Sequence, residues 1–378
     1  MNRLLILFIA VILHQSTVAQ VIYETLESSK LGESREIKIQ LPRGYDPEGD
    51  IIYPLVVVLD GDYLFEPVIG NVDYHSYWGD MPKSIVVGVN QGDTKSADLS
   101  YSAESYFPSD EGSRFFEFVS MEVIPFINQN YLTSEFRIIV GHDKSANFLN
   151  YYLLKERPLF RGYISLSPDL APEMANRLTE RLSTIQDDTF YYMATGTNDV
   201  DKLREPIVAL DSNLKTIENT KLHYRFDNFE DADHYSLVGL GIPKAISEIF
   251  SLYKPISRTE YKEKILTYGG SPFEYLMQKY EDIELFYGFE KKVVENDIRA
   301  IAAAAKKKQD VEAMKDLSKL ARKEYSDSMV SAYYLGQYYE MDGNMKKALQ
   351  NYQSGLLLLE SEFITKDMLL DKIYELKE

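Results

Sequence analysis

The chain has 378 residues, enough for two domains and a sizeable core. Its formal net charge of −18 argues against nucleic acid or an anionic membrane surface as a partner. It contains no cysteine, which excludes a disulfide framework.

Met1–Ala19 combines a basic Arg3, an apolar run from Leu4 to Leu13 and Thr17-Val18-Ala19 before Gln20. That pattern predicts a secretory signal peptide cut after Ala19, too short to span a membrane, and no later stretch is apolar over a membrane's width. An exported chain without disulfides is expected in a bacterial periplasm or secreted. The next two thirds alternate strand and helix patterns. Strands are predicted over Ile37–Leu41, Leu55–Leu59, Ser84–Val89, Phe136–Val140, Gly162–Leu166, Phe190–Ala194 and Leu222–Phe226. Helices are predicted over Phe115–Tyr131, Ser145–Lys155, Arg204–Ile217 and Leu237–Tyr253. Near-continuous apolar strands separated by helices predict an α/β fold, a doubly wound and mostly parallel sheet. Its ligand site belongs at the carboxyl ends of the strands.

Several features fall at that edge. Phe136–Val140 runs into Gly141-His142-Asp143-Lys144-Ser145-Ala146 and then a helix. This is the outline of the nucleophile elbow G-x-S-x-G of α/β-hydrolases, with Gly141 and Ser145 as the flanking small residues and Asp143 where serine would stand. Ser145 is expected to pack against the strand rather than face a substrate. After a central strand, Asp60-Gly61-Asp62-Tyr63 offers the backbone N–H of Asp62 or Tyr63 as one oxyanion donor, with that of Lys144 as the other. The stretch 90–111 carries Tyr101, Tyr106 and Phe107, which together with Tyr74, Tyr77 and Trp78 could wall a pocket.

Past the leader there are four histidines. His142 should point away from the substrate, His223 sits inside a strand pattern, and His75 precedes every other candidate. His234 follows the last strand and precedes the last helix, which is the place of the base in the order nucleophile, acid, histidine. The acid should follow the strand before it, which puts forward Asp199, with Asp201 in reserve.

The ordered set Leu59-Asp60-Gly61-Asp62, Val123-Ile124-Pro125-Phe126, the elbow, Ser165-Leu166-Ser167-Pro168 and Asp233-His234-Tyr235-Ser236 resembles the putative esterase family, the esterase D-like and enterochelin esterase-like α/β-hydrolases. The resemblance runs from about Val21 to Tyr253. It implies an α/β-hydrolase fold, hydrolysis of a small-molecule ester by a Ser–His–acid triad, and no metal or organic cofactor. Asp143 departs from that pattern at the residue that carries the chemistry. A carboxylate attacking an acyl carbon yields an anhydride, whereas at a saturated carbon it yields an ester that water can cleave. The expected function is therefore hydrolysis of a small ester or related electrophile with Asp143 as nucleophile; the alternative is a catalytically silent fold that binds a ligand or partner.

After Lys254-Pro255 the sequence becomes almost wholly helical. The expected division is a hydrolase domain over 20–254 and a helical domain over 255–378. Ala332, Leu335, Gly336, Tyr339, Ala348, Tyr352 and Gly355 fall at tetratricopeptide-repeat spacing within 329–362, with Met341–Asn344 as the turn between helices. Such a repeat either docks a partner protein or covers apolar surface of its neighbours.

Overall fold

The computed structural model describes residues 20–377, so the expected leader at 1–19 lies outside the described residues. An eight-stranded sheet organises the first two thirds. Its strands are β1 (Gln20–Ser28), β2 (Glu33–Leu41), β3 (Tyr53–Val58), β4 (Ile85–Val89), β5 (Thr133–His142), β6 (Gly162–Leu166), β7 (Thr189–Asn198) and β8 (Leu222–Asp233). Their order across the sheet is β1-β2-β4-β3-β5-β6-β7-β8. β1 and β2 run antiparallel, as do β2 and β4, and every other neighbour is parallel.

Each central strand is buried on both faces, and alternate residues serve different layers because side chains alternate across a strand. Leu55, Val57 and Ile139 join one core cluster, packed under helices 110–130, 144–153, 174–184 and 201–214. Val56, Val58, Ile138 and Val140 join the other, under helices Phe65–Tyr77 and Ser236–Ile249. Helix Asp110–Asn130 carries a one-turn π-helical bulge at Val119–Val123 where an unbroken helix was expected.

One expectation needs correction. Tyr74 and Tyr77 lie on helix Phe65–Tyr77 and Trp78 caps its end; all three are exposed. That helix starts at the carboxyl edge of the sheet and runs away from it. Tyr77 ends beside Pro42, Arg43 and Lys83, at the opposite edge, so these aromatics wall no pocket near the elbow. Helix Met174–Thr184 and the edge strand β1 were not anticipated.

The carboxyl-terminal third is helical from Pro272 onward, with helices at 272–287, 295–308, 311–324, 329–341, 345–355 and 366–375. Helices Met329–Met341 and Met345–Gly355 flank the turn expected between them. Gly336 meets the Tyr352 ring and Gly355 meets Ala332, so small residues admit the large ones opposite. No helix among the described residues is long and apolar enough to cross a membrane.

Candidate active site

Asp143 occupies the turn between β5 and helix Lys144–Phe148 with φ 62° and ψ −123°, a conformation that side chains with a Cβ adopt only under strain. Gly141 makes the crossing possible. A Cβ there would come within 2.6 Å of the Ser145 carbonyl. Asp143 N–H donates to the Leu166 carbonyl (3.0 Å) and its carbonyl accepts from Asp169 N–H (3.1 Å), which locks the turn to the end of β6. Its side chain is half-buried and, among the described residues, has no hydrogen-bond partner.

His234 follows β8 directly. Its Nδ1 lies 2.9 Å from Asp199 Oδ1, and the Ser167 hydroxyl lies 3.1 Å from the same nitrogen. With Nδ1–H directed at a carboxylate, Nε2 is the nitrogen left for chemistry. Asp199 also accepts from Thr195 Oγ1 (2.7 Å) and Val200 N–H (2.8 Å). Burial opposes its ionisation, yet these hydrogen bonds and that of His234 outweigh it and hold the carboxyl well below its ordinary range. The hydrogen bond to Asp199 raises the His234 pKa, against partial burial, and the nearby charge of Asp143 adds to the rise. Asp201, the reserve acid, is instead the exposed first residue of the helix after β7.

The two expected oxyanion donors are both open. Among the described residues neither Asp62 N–H nor Lys144 N–H has an acceptor. Tyr63 N–H is engaged by the Asp60 carbonyl at 3.2 Å, so of the two only Asp62 N–H is open among the described residues. Asp62 is fixed by its own carboxylate, which accepts from the N–H groups of Gln91 (2.8 Å) and Gly92 (2.9 Å).

Beneath the turn lies a network that sequence reasoning did not foresee. Ser145 Oγ accepts from His142 N–H (2.9 Å) and donates to Asp60 (2.6 Å), so it is buried and packed as expected. Asp60 also pairs with Lys95 at 3.0 Å, and Tyr63 OH reaches both Asp60 (3.2 Å) and His142 Nδ1 (3.0 Å). His142 Nε2 lies 2.8 Å from the His234 carbonyl. A carbonyl only accepts, so the proton sits on Nε2 and Nδ1 receives the Tyr63 hydroxyl. Burial, then the proximity of His234, lowers the His142 pKa to about 4 and keeps the ring neutral. His142 is therefore buried, its ring 4.4 Å from that of His234, whose backbone it clamps. No residue type announces such a bond, because its acceptor is a main-chain oxygen 92 positions away.

Sheet order, crossovers and the strand–turn–helix at Asp143 define an α/β-hydrolase fold. The family model described as "Putative esterase" matches residues 28–222, and the chain belongs to that family. It is 32% identical to an uncharacterised protein from Capnocytophaga ochracea DSM 7271, covering 95% of this chain and 99% of that one with a TM-score of 0.82. An IroE-like serine hydrolase from Shewanella oneidensis shares its fold at 21% identity, with coverages of 80% and 98% and a TM-score of 0.61. So does the siderophore hydrolase EstB from Aspergillus nidulans, at 17% identity, coverages of 62% and 94% and a TM-score of 0.51. No curated protein matches the chain.

Proposed function

We propose that the protein is a hydrolase of this family in which Asp143 is the nucleophile, His234 the base, Asp199 its orienting acid, and the N–H groups of Asp62 and Lys144 the oxyanion donors. The observation that carries the reading is the His234–Asp199 pair at 2.9 Å, kept beside a strained turn whose carboxylate is unengaged. Its substrate is a small ester or a related electrophile, and a carboxylate suits a saturated carbon best. With an epoxide, an Asp143 oxygen forms a bond to carbon while the ring C–O bond breaks, and the alkoxide takes a proton from water. His234 Nε2 then removes a proton from a second water, whose oxygen attacks Cγ of Asp143. The negative oxygen formed there is held by the two N–H groups; on collapse the departing alkoxide oxygen takes the proton held by His234, and the Asp143 carboxylic acid gives its proton to the hydroxide left by the first water, which restores the carboxylate.

The aspartate also favours a second reading. An ordinary ester attacked at its acyl carbon would have to pass through an anhydride, an unfavourable route, so the second reading is a catalytically silent fold that binds a ligand or partner. Replacing His234 with Gln blocks the second step and separates the two readings. After incubation with epoxides, haloalkanes and activated esters, intact mass should reveal an adduct that peptide mapping assigns to Asp143. If the variant forms no adduct and the wild-type protein turns over none of the panel, the hydrolase reading fails and the binding role stands.

The leader pattern over Met1–Ala19 supports export to the periplasm or beyond. Amino-terminal sequencing of the protein recovered outside the cytoplasm should begin at Gln20, and retention of Met1 would contradict export. The helical region, with its repeat-like pair at 329–355, suits either a protein partner or a cover for neighbouring helices.

A further inference from the structure

A cavity of about 470 Å³ lies apart from Asp143 and His234, neither of which lines it. It lies against the far end of the elbow helix, where Tyr151 follows Asp143 by eight residues, or roughly 12 Å at 1.5 Å per residue. Phe107 and Tyr151 form one wall with ring centroids 6.0 Å apart. Phe116, half-buried and backed by the fully buried Tyr152 stacked on it at 4.2 Å, forms the other. Met121, an exposed residue of the π-helical bulge, sits at the rim. Bulges of this kind cost helix hydrogen bonds and gather at functional sites.

The polar groups around this slot are unevenly charged. The hydroxyls of Ser113 and Ser120 donate to the Pro108 and Phe116 carbonyls and present only lone pairs. Glu117 is neutralised by Lys30 at 2.8 Å. Lys155 and Arg157 also line the cavity, and among the described residues neither side chain pairs with a carboxylate. Lys155 Nζ is 5.3 Å from the centroid of Phe116, directly over the aromatic wall. Two free cations thus border an apolar slot in a chain whose net charge is −18.

From this cavity we infer a second ligand site, separate from the Asp143 centre, that takes a small amphipathic carboxylate. The apolar body lies between the two aromatic walls and the carboxylate meets Lys155 and Arg157. The volume falls within the range of small-molecule sites, and one aliphatic chain or ring system satisfies the walls without any further polar partner. This inference stands whether or not Asp143 turns over.

Calorimetric titration of the full mature protein with decanoate, kept below its micelle concentration, tests it. Decyltrimethylammonium carries the same tail with the opposite head and serves as the paired probe. Saturable binding of one decanoate, with decyltrimethylammonium at least tenfold weaker, is expected. Exposed ion pairs contribute a few tenths to 1 kcal/mol each, so K155A/R157A should weaken decanoate about twofold to thirtyfold and flatten its salt dependence. Met121→Trp, which fills the slot, should abolish binding, whereas K262A/K264A, a distant exposed pair, should leave it unchanged. Equal affinity for both head groups, no saturable binding, or K155A/R157A behaving like wild type would overturn the site. K155A/R157A alters only exposed side chains, so its outcome does not depend on the tolerance of the helix for tryptophan.

Discussion

Asp199 and His234 hold opposite protonation biases because each is the other's partner, and that sets a pH signature for any turnover. His234 acts as a base only when Nε2 is free of a proton. Its pKa is raised above 6.5 by the hydrogen bond to Asp199, so activity should climb with pH through a value above 6.5. Asp199→Asn removes the cause of that rise. The acid limb of the kcat/KM profile should then shift to lower pH while kcat falls about 10⁴-fold, the scale seen when the acid of such a triad is neutralised. A limb that stays put in the variant would mean that another group sets it. His142 carries the opposite sign. Its folded pKa is lowered from 6.5 to about 4, so the unfolded chain binds the extra proton first. Its contribution to stability is present above 6.5 and is lost as pH falls through about 4. In His142→Gln, urea unfolding should lose part of the decline in stability between those two values, and an unchanged decline would assign acid sensitivity to other groups. Chain order put forward His234 and Asp199, which the structure pairs at 2.9 Å, because the roles expected of this fold follow the sequence of strand ends. The Ser167 and His142 contacts could not be anticipated, since both depend on which loop ends come together at the sheet edge.

At the scale of the element, the strand–turn–helix at 133–148 stores strain where chemistry is proposed. Conformations such as that of Asp143 cost about 1–3 kcal/mol, and glycine adopts them freely at an entropic cost of roughly 0.5–1 kcal/mol. Asp143→Gly should therefore raise stability in urea melts by about 1 kcal/mol, and a loss of stability would show that the aspartate is not strained in solution. Gly141→Ala should act in reverse. Its Cβ would press on backbone 2.6 Å away, which cannot yield as a side-chain tip would, at a cost of about 1–3 kcal/mol or more. The elbow was legible because β5 is apolar over Phe136–Val140 except for Arg137 and runs into Gly141, and β6, also mostly apolar, was placed to the residue. Helices 65–77 and 174–184 were not. Each buries a stripe of only three residues, Phe65, Val68 and Val72 in one and Met174, Leu178 and Leu182 in the other. Between such narrow stripes lie aromatics, Gly70 and Pro67 in the first, and charged or polar residues in the second, which blur the 3.6-residue period.

Across the whole molecule, the outer face of the sheet does not end its core at the change of composition near Lys254. The cluster that holds Val56, Val58 and Ile138 also takes in Ile283 and Tyr287 from helix Pro272–Tyr287. Tyr287 is fully buried, lies edge-on to Phe136 at 5.1 Å, packs against Phe190 and Phe250, and donates its hydroxyl to the Ile249 carbonyl at 2.8 Å. Beyond the break, Asp297 accepts from Ile256 N–H (2.7 Å) and Tyr280 OH (2.9 Å), tying the connecting segment to the following helices. Lys291 adds a bond to the Tyr253 carbonyl and lies over that ring. An appendage joined by a linker would melt by itself; a helix whose aromatic side chain completes the core of the sheet cannot. Thermal unfolding of residues 20–378 should accordingly be one cooperative transition for the sheet and helix 272–287 together. Tyr287→Ala removes a large buried ring and should cost about 3–5 kcal/mol, lowering the transition reported by His234–Asp199 chemistry as much as that reported by helix content. Two separate transitions, with only the helical signal moved by Tyr287→Ala, would mean that the sheet closes its core without the carboxyl-terminal third.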